Sequence, residues 1–330
     1  MNDILVSISC ITYNHAAYIS QCLDGFVSQK TNFKYEILIH DDCSTDGTDE
    51  IIKRYAEQYP DIIKPLFEEV NQYSQGKPIG TSVWNIPRAK GKYIAFCEGD
   101  DYWIDEYKLQ KQVDYLEQHP EVGMCFTDFN RLYDRSGKME RDCLKNNPQM
   151  FPKQYTLEQW IEKAGYVGPM TWMVKKELWE AADEKSVQAV DGSFVLFTYF
   201  LAHSKVACLN DTTAVYRILE NSASHDTNLA KLYKRIKGLH YLQLLLADKF
   251  LPTSEAQTLK ERLNRYYYNA TIKLIVAMYD QAEFSVACKY LRSAALIKLY
   301  ALVLRSSLLK PLYKCAYVAL SKSKAKFRPH

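Results

Sequence analysis

The chain has 330 residues, 47% hydrophobic and 25% charged, with only 12 glycines and 11 prolines. That composition fits one large folded domain with an extension, or two modest domains, and excludes fibrous, collagen-like and wholly disordered chains. The net charge of +3 hides a division: residues 229–330 hold 19 Lys+Arg against 5 Asp+Glu, which leaves 23 basic and 34 acidic groups in residues 1–228. An acidic front argues against a protein built on nucleic-acid phosphates, whereas the basic tail suits an anionic surface or an acidic partner.

No run of about 18 uninterrupted apolar residues occurs, so no membrane span is expected. The start, MNDILVSISCITYN, lacks the basic segment of a secretory signal, and a cytoplasmic protein is expected. Nine cysteines, none in a CxxC pair, read as reduced thiols, several of them buried in apolar runs.

In chain order, ILVSISCIT is a β-prone run, followed by a helical pattern with Ile19, Cys22, Leu23 and Phe26 on one face. YEILIH is a second strand, and TDGTDEIIKRYAEQYP a helix headed by Asp46 or Thr48 and stopped by Pro60. DIIKPLF, KYIAFC and EVGMCFTDF complete the strands, with a helix through EYKLQKQVDYLEQHP before the last. Strands alternating with helices over residues 1–130 imply crossover units and a mostly parallel buried sheet. Residues 131–228 are less regular, with helices expected near 156–163, 176–182 and 192–203 and short strands near 170–174, 205–209 and 213–217. From 229 onward the pattern is helical: 229–250, 254–279, 281–304 and 311–321.

Ligands of an open parallel sheet sit at the carboxyl ends of its strands. Here those ends carry Thr12-Tyr13-Asn14-His15, His40-Asp41-Asp42 and Glu98-Gly99-Asp100-Asp101. Three carboxylate-bearing ends facing one crevice repel each other unless a cation compensates, and carboxylate oxygens suit Mg²⁺ or Mn²⁺. Helix capping accounts equally for Asp42, Ser44 or Asp46. It does not account for Glu98, Asp100 and Asp101 together, since a cap needs one of them. No GxGxxG or other glycine-rich phosphate loop follows the first strand, which argues against a dinucleotide-binding dehydrogenase.

VSISCITYNHAAYISQCLDGFVSQ, YEILIHDDCSTDGTDEI and GKYIAFCEGDDYWIDEYKLQKQVDYL resemble, in order and spacing, the family 2 inverting glycosyltransferases. The resemblance is strong over residues 4–130 and looser over 165–226. It implies an α/β fold of the GT-A type, a nucleotide-diphospho-sugar transferase with a mostly parallel central sheet flanked by helices, here with a C-terminal helical extension. The expected organisation is a transferase domain over 1–228, split into a nucleotide-sugar-binding half (1–130) and an acceptor half (131–228). A basic helical region follows over 229–330.

The resemblance also implies roles. Ile11, Thr12, Tyr13 and Asn14 line the nucleotide, Asp42 accepts a hydrogen bond from its base, and Asp41 lies nearby. Glu98, Asp100 and Asp101 stand where the family has its Asp-x-Asp-Asp metal motif, with Glu98 replacing the usual Asp. They imply a divalent cation, Mn²⁺ or Mg²⁺, on the diphosphate. Asp191, ahead of a helix and of the Tyr216-Arg217 pair, matches the general base, although it also suits the cap of that helix. The family's Arg-Asn pair before the fourth strand is reduced to Asn85, with Arg88 and Lys92 as further candidates for the pyrophosphate or as ordinary surface charges. Trp172 is either a platform for a sugar ring or core, and His225 a loop histidine within reach of a phosphate or simply solvated.

The implied partners are a nucleotide-diphosphate sugar, UDP-linked, and a growing glycan or lipid-linked acceptor; no nucleic acid is expected. The alternative is a catalytically degenerate nucleotide-sugar-binding scaffold of a glycan-assembly complex. Regularly interspersed Lys and Arg in the apolar tail point to peripheral docking on the inner face of an anionic membrane, or to a bundle or homodimer contact.

Overall fold

A computed structural model describes residues 4–77, 81–147, 156–182, 191–219 and 229–280. Two compact units are formed, one by residues 1–226 with 235–266, the other by residues 227–234 with 267–330.

The first unit is built on a nine-stranded mixed sheet. Strands β1 (Ile4–Thr12), β2 (Lys34–Asp41), β3 (Ile63–Phe67) and β4 (Tyr93–Phe96) are parallel and lie in the order β3-β2-β1-β4. Their apolar runs are buried, with Val6, Ile8, Ile37, Ile39 and Ile94 all at or near zero exposure, as a parallel sheet covered on both faces requires. Helices α1 (Ile19–Val27) and α2 (Thr48–Gln58) are the crossovers, and α1 buries the stripe Ile19, Cys22, Leu23 and Phe26. The chain leaves β1 toward β2 and β3, then returns to place β4 on β1's other side. The crevice between the carboxyl ends of β1 and β4 is therefore the topological switch point, where such sheets bind ligands.

Beyond β4 the sheet becomes mixed, continuing β8-β6-β9-β5 with β7 (Lys138–Glu140) beside β6. β8 (Met173–Lys175) runs antiparallel between β4 and β6 (Val122–Tyr133), while β9 (Lys205–Ile218) is parallel to β6 and antiparallel to β5 (Tyr102–Trp103). Two short strands expected at 205–209 and 213–217 are one. The polar residues between them bulge without breaking the ladder: the β6–β9 register shifts near Asp128, and Asp211 turns out to Lys111 Nζ at 2.6 Å.

After a four-residue helical turn α3 (Thr81–Trp84) come helices α4 (Lys108–Gln118), α5 (Leu157–Lys163), α6 (Lys176–Ala181) and α7 (Gly192–His203). α5 carries a reciprocal cap between Thr156 and Gln159. α7 is apolar nearly all round and buries Phe194, Leu196, Phe197 and Phe200. The unit reaches past the boundary expected at residue 228, because parts of α8 (Leu229–Phe250) and α9 (Thr253–Asp280) pack into it. Leu242, Leu246, Leu259 and Leu263 are buried there, Gln243 Nε2 donates to the Ile161 carbonyl at 2.8 Å, and Arg262 pairs with Glu158 and Glu162. In the second unit, the described residues are the first of α8 and the last of α9, all helical. Among the described residues, no helix is long and apolar enough to cross a membrane. The helices expected at 281–304 and 311–321, and His225, lie outside the described residues.

Candidate active site at the sheet's switch point

The loops after β1 and β2 are knitted together. Asn14 and Cys43 both adopt left-handed backbone, at φ 54° and 64°, an unusual state for residues with side chains and common at functional loops. The Asn14 N–H donates to Ser44 Oγ at 2.9 Å, and its Oδ1 accepts the Thr45 N–H at 2.8 Å. Asp46 accepts the N–H groups of Ala16 and Thr48, and Thr48 Oγ1 accepts the His15 N–H. The N-cap of α2 is Gly47, without a side-chain cap, and not Asp46 or Thr48 as the sequence suggests; Asp46 instead ties the start of the helix to the first loop. Asp41 accepts both the backbone N–H and the hydroxyl of Ser44, and burial holds its carboxyl above the usual range.

The residues expected on the nucleotide divide into two groups. Ile11, Thr12, Tyr13 and Asn14 lie at the end of β1, with Tyr13 exposed at 43%. Asp42 is buried, its two oxygens accepting the backbone N–H groups of Gln72 (2.7 Å) and Tyr73 (3.1 Å), so it holds the 71–77 turn beside the crevice. Asn85 and Arg88 require a correction. Asn85 has no exposed surface with which to touch a ligand, and its amide donates to Ser9 Oγ and to the Cys10 and Leu38 carbonyls. Arg88 donates to the Ile39 and Lys64 carbonyls and to Asn85 Oδ1. A tight turn over 86–88 directs both side chains onto the sheet, where they clamp β1, β2 and β3. Lys92 pairs with Glu117 at the surface.

The end of β4 continues its ladder past the strand. The Cys97 N–H donates to the Ser9 carbonyl and the Gly99 N–H to the Ile11 carbonyl, after which the Asp101 N–H closes a turn on Glu98. Gly99 is pressed against the first loop: a Cβ there would lie 2.5 Å from Thr12 Oγ1. Thr12 Oγ1 in turn hydrogen-bonds His15 Nδ1 at 3.1 Å, and His15 Nε2 faces Asp100 Oδ2 at 4.0 Å. This turn brings Glu98, Asp100 and Asp101 together, with one carboxylate oxygen of each inside 4.8 Å of the others.

Burial, with the charges of Asp100 and Asp191, pushes the Glu98 carboxyl up to about 8. Asp101 is likewise raised, by burial and by both neighbouring carboxylates. Arg217 reaches in against this repulsion. Its backbone N–H donates to Asp101 Oδ1, its Nε to the Asp100 carbonyl, and its Nη groups to Asp134 and Gln21, with Tyr18 and Tyr102 flanking the guanidinium. Asp100 Oδ1 is buried with no hydrogen-bond partner among the described residues. An unsatisfied oxygen within a cluster of oxygen donors is what a hard divalent cation satisfies, so these residues fit Mg²⁺ or Mn²⁺.

Asp191 caps α7, its Oδ1 accepting the Phe194 N–H and the Ser193 hydroxyl at 3.1 Å each. Its second oxygen is left out of the cap and faces Arg235 Nη2 at 3.6 Å. Between the head of α7 and Glu98 lies a cavity of about 200 Å³ whose walls include Ser193, Phe96, Trp172, Trp179 and Leu196. Trp172 is both core and cavity wall: it is 1% exposed, and its indole N–H donates to the Val167 carbonyl.

Sequence reasoning missed three contributors. Tyr166, beside Tyr216, is pushed well up by burial and by the charges of Asp101 and Glu98. Phe96 and Trp179 read as core, and nothing in their sequence spacing marks them as the wall of a cavity.

Residues 7–181, more than half of the chain, match the family described as Glycosyl transferase family 2. An uncharacterised protein of Mycobacterium tuberculosis is 42% identical over 135 residues, covering 40% of this chain and 37% of that protein, so the chain spans well under half its length. Staphylococcus aureus TarS 1–349, solved with UDP-GlcNAc, superposes with a TM-score of 0.60 at 20% identity, covering 86% of this chain and 79% of that one. TarS is named a poly(ribitol-phosphate) beta-N-acetylglucosaminyltransferase. The Pyrobaculum calidifontis mannosyltransferase PcManGT, solved with GDP-Man and Mn²⁺, gives a TM-score of 0.54 at 18% identity, covering 98% and 88%. At these identities the two structures establish the fold, which is GT-A.

Proposed function

Because the chain belongs to glycosyl transferase family 2, we infer that it moves a sugar, with inversion, from a UDP-linked donor to a hydroxyl of a growing glycan or lipid-linked acceptor. The observation that carries this reading is the Glu98–Asp100–Asp101 carboxylate cluster at the sheet's switch point, whose Glu98 also lines a cavity reaching Gly192 and Ser193, next to Asp191 at the head of α7. The donor of the TarS complex supports uracil as the base.

When bound, a divalent cation held by Glu98, Asp100 and Asp101 supplies positive charge to the departing diphosphate. Asp191 acts as general base through the oxygen its helix cap leaves over, which faces Arg235. It takes the acceptor hydroxyl's proton while that oxygen's electron pair forms the new bond to the anomeric carbon. The bond from that carbon to the phosphate oxygen breaks, and its electrons leave with the nucleoside diphosphate. Attack from the face opposite the leaving group inverts the anomeric configuration.

The positive balance of residues 229–330 supports docking on an anionic membrane surface from the cytoplasmic side, which confines the enzyme where a lipid-linked acceptor is. The transfer reading is tested by incubating the full chain with a UDP-sugar, Mn²⁺ and candidate acceptors and reading the product anomer by NMR. An inverted glycoside supports it; a retained configuration overturns the mechanism.

A further inference from the structure

The cavity between Glu98 and the head of α7 is two-sided in its chemistry. Its polar lining is the Glu98 carboxylate with the Thr81 and Ser193 hydroxyls. Its apolar lining includes Phe96, Trp172, Trp179 and Leu196, each less than a tenth exposed. Phe96 and Leu196 have no polar side-chain atom, and the indole N–H of Trp172 is already donated to the Val167 carbonyl. These apolar side chains offer a sugar hydroxyl little in exchange for the water it gives up, whereas they offer a methyl group close apolar contact. At about 200 Å³ the space exceeds a water's roughly 30 Å³ share of the liquid several-fold. Glu98, a member of the carboxylate cluster, lines it, which ties the cavity to the donor side of the reaction.

We propose that this cavity selects the transferred sugar, accepting donors whose sugar carries a methyl-terminated substituent, an acetamido or a 6-deoxy sugar, over plain hexoses. The proposal rests on the transferase reading above. An apolar pocket discriminates one small apolar group by about 10- to 100-fold, and a difference of that size in kcat/KM is expected within each matched pair.

The test uses the wild-type full chain with Mn²⁺. Nucleoside diphosphate release is measured for UDP-GlcNAc against UDP-glucose, and for UDP-6-deoxyglucose against UDP-glucose; the two arms distinguish the acetamido from the deoxy source of the methyl group. Leu196→Phe, which fills the cavity, is expected to abolish the preference, with a thermal melt and UDP titration reporting that the variant is folded. Equal rates within both pairs, or faster hexose turnover, with UDP still bound, overturn the cavity proposal alone. Failure to bind UDP or hydrolyse any donor overturns the transferase reading and the proposal together. Should Leu196→Phe not fold, the wild-type comparison decides by itself.

Discussion

The backbone N–H of Arg217, in β9, donates to Asp101 Oδ1 at 2.8 Å, tying one end of the chain's last described strand to the carboxylate turn 116 residues earlier. The guanidinium adds a bond to the Asp100 carbonyl, and its flat faces lie against Tyr18 and Tyr102. One residue therefore both shapes the turn and places a permanent positive charge near the Asp101 and Asp134 carboxylates.

Groups that orient ligating carboxylates typically change metal affinity by 10–100-fold when removed. Arg217→Met is expected to weaken Mn²⁺ binding by about that factor, measured by titration followed by electron paramagnetic resonance. Arg217→Lys, which keeps the charge but loses the planar fork, should fall between. An unchanged Mn²⁺ affinity in Arg217→Met would show that the turn holds its shape without it.

Asp191→Asn should cut turnover by about 10²–10⁴-fold, the contribution of a general base, while leaving the melting temperature nearly unchanged. Asn caps a helix about as well as Asp, so the change separates the two roles of this side chain. The checks are kcat for transfer and a thermal melt; a parallel loss of both would assign Asp191 to structure alone.

Much of this was legible because strands and helices of the first 130 residues alternate with strong periodicity. The limits of α7 and α8 follow from Asp191 at the cap and from Pro252 after the helix. The placement of β8 was not legible: a three-residue antiparallel strand between β4 and β6 depends on pairing across distant segments, and nothing local encodes it. Asn85 and Arg88 misled for a related reason. Polar side chains near a crevice serve a ligand or a neighbouring backbone equally well, and only the inward direction of the 86–88 turn decides. The carboxylate turn was visible because clustered charge is costly and needs a cause. The cavity walls were not, because Phe96, Trp172, Trp179 and Leu196 look like any core.

Gly99→Ala places a Cβ against Thr12 Oγ1 and His15 in a turn with no room to relax. Overpacking of this kind costs about 1–3 kcal/mol. The variant should melt lower and lose donor hydrolysis out of proportion to the folded fraction, measured by denaturant titration and nucleotide release on the same sample.

Lys108 is wholly buried, its ammonium bonded to Gln112 Oε1 and 4.4 Å from the centre of the Trp103 ring. Burial lowers it to about 8 from 10.5. Between those pH values the unfolded chain binds more protons than the folded one, so stability rises with pH across that window, by about 3 kcal/mol. The penalty for the buried charge is present in full below pH 8 and gone above 10.5. Lys108→Met should be more stable at pH 7 and lack the rise, as read from urea unfolding at pH 7 and 10; an identical pH profile would contradict the assignment.

The most direct test of the carboxylate cluster is Mn²⁺-dependent release of nucleoside diphosphate from a UDP-sugar by Asp100→Ala beside wild type, with folding verified by thermal melt. Wild type is predicted to release UDP only when Mn²⁺ or Mg²⁺ is added, and the folded variant to show no metal-dependent release. Release by Asp100→Ala at the wild-type rate, with the same metal dependence, would contradict the cluster's role.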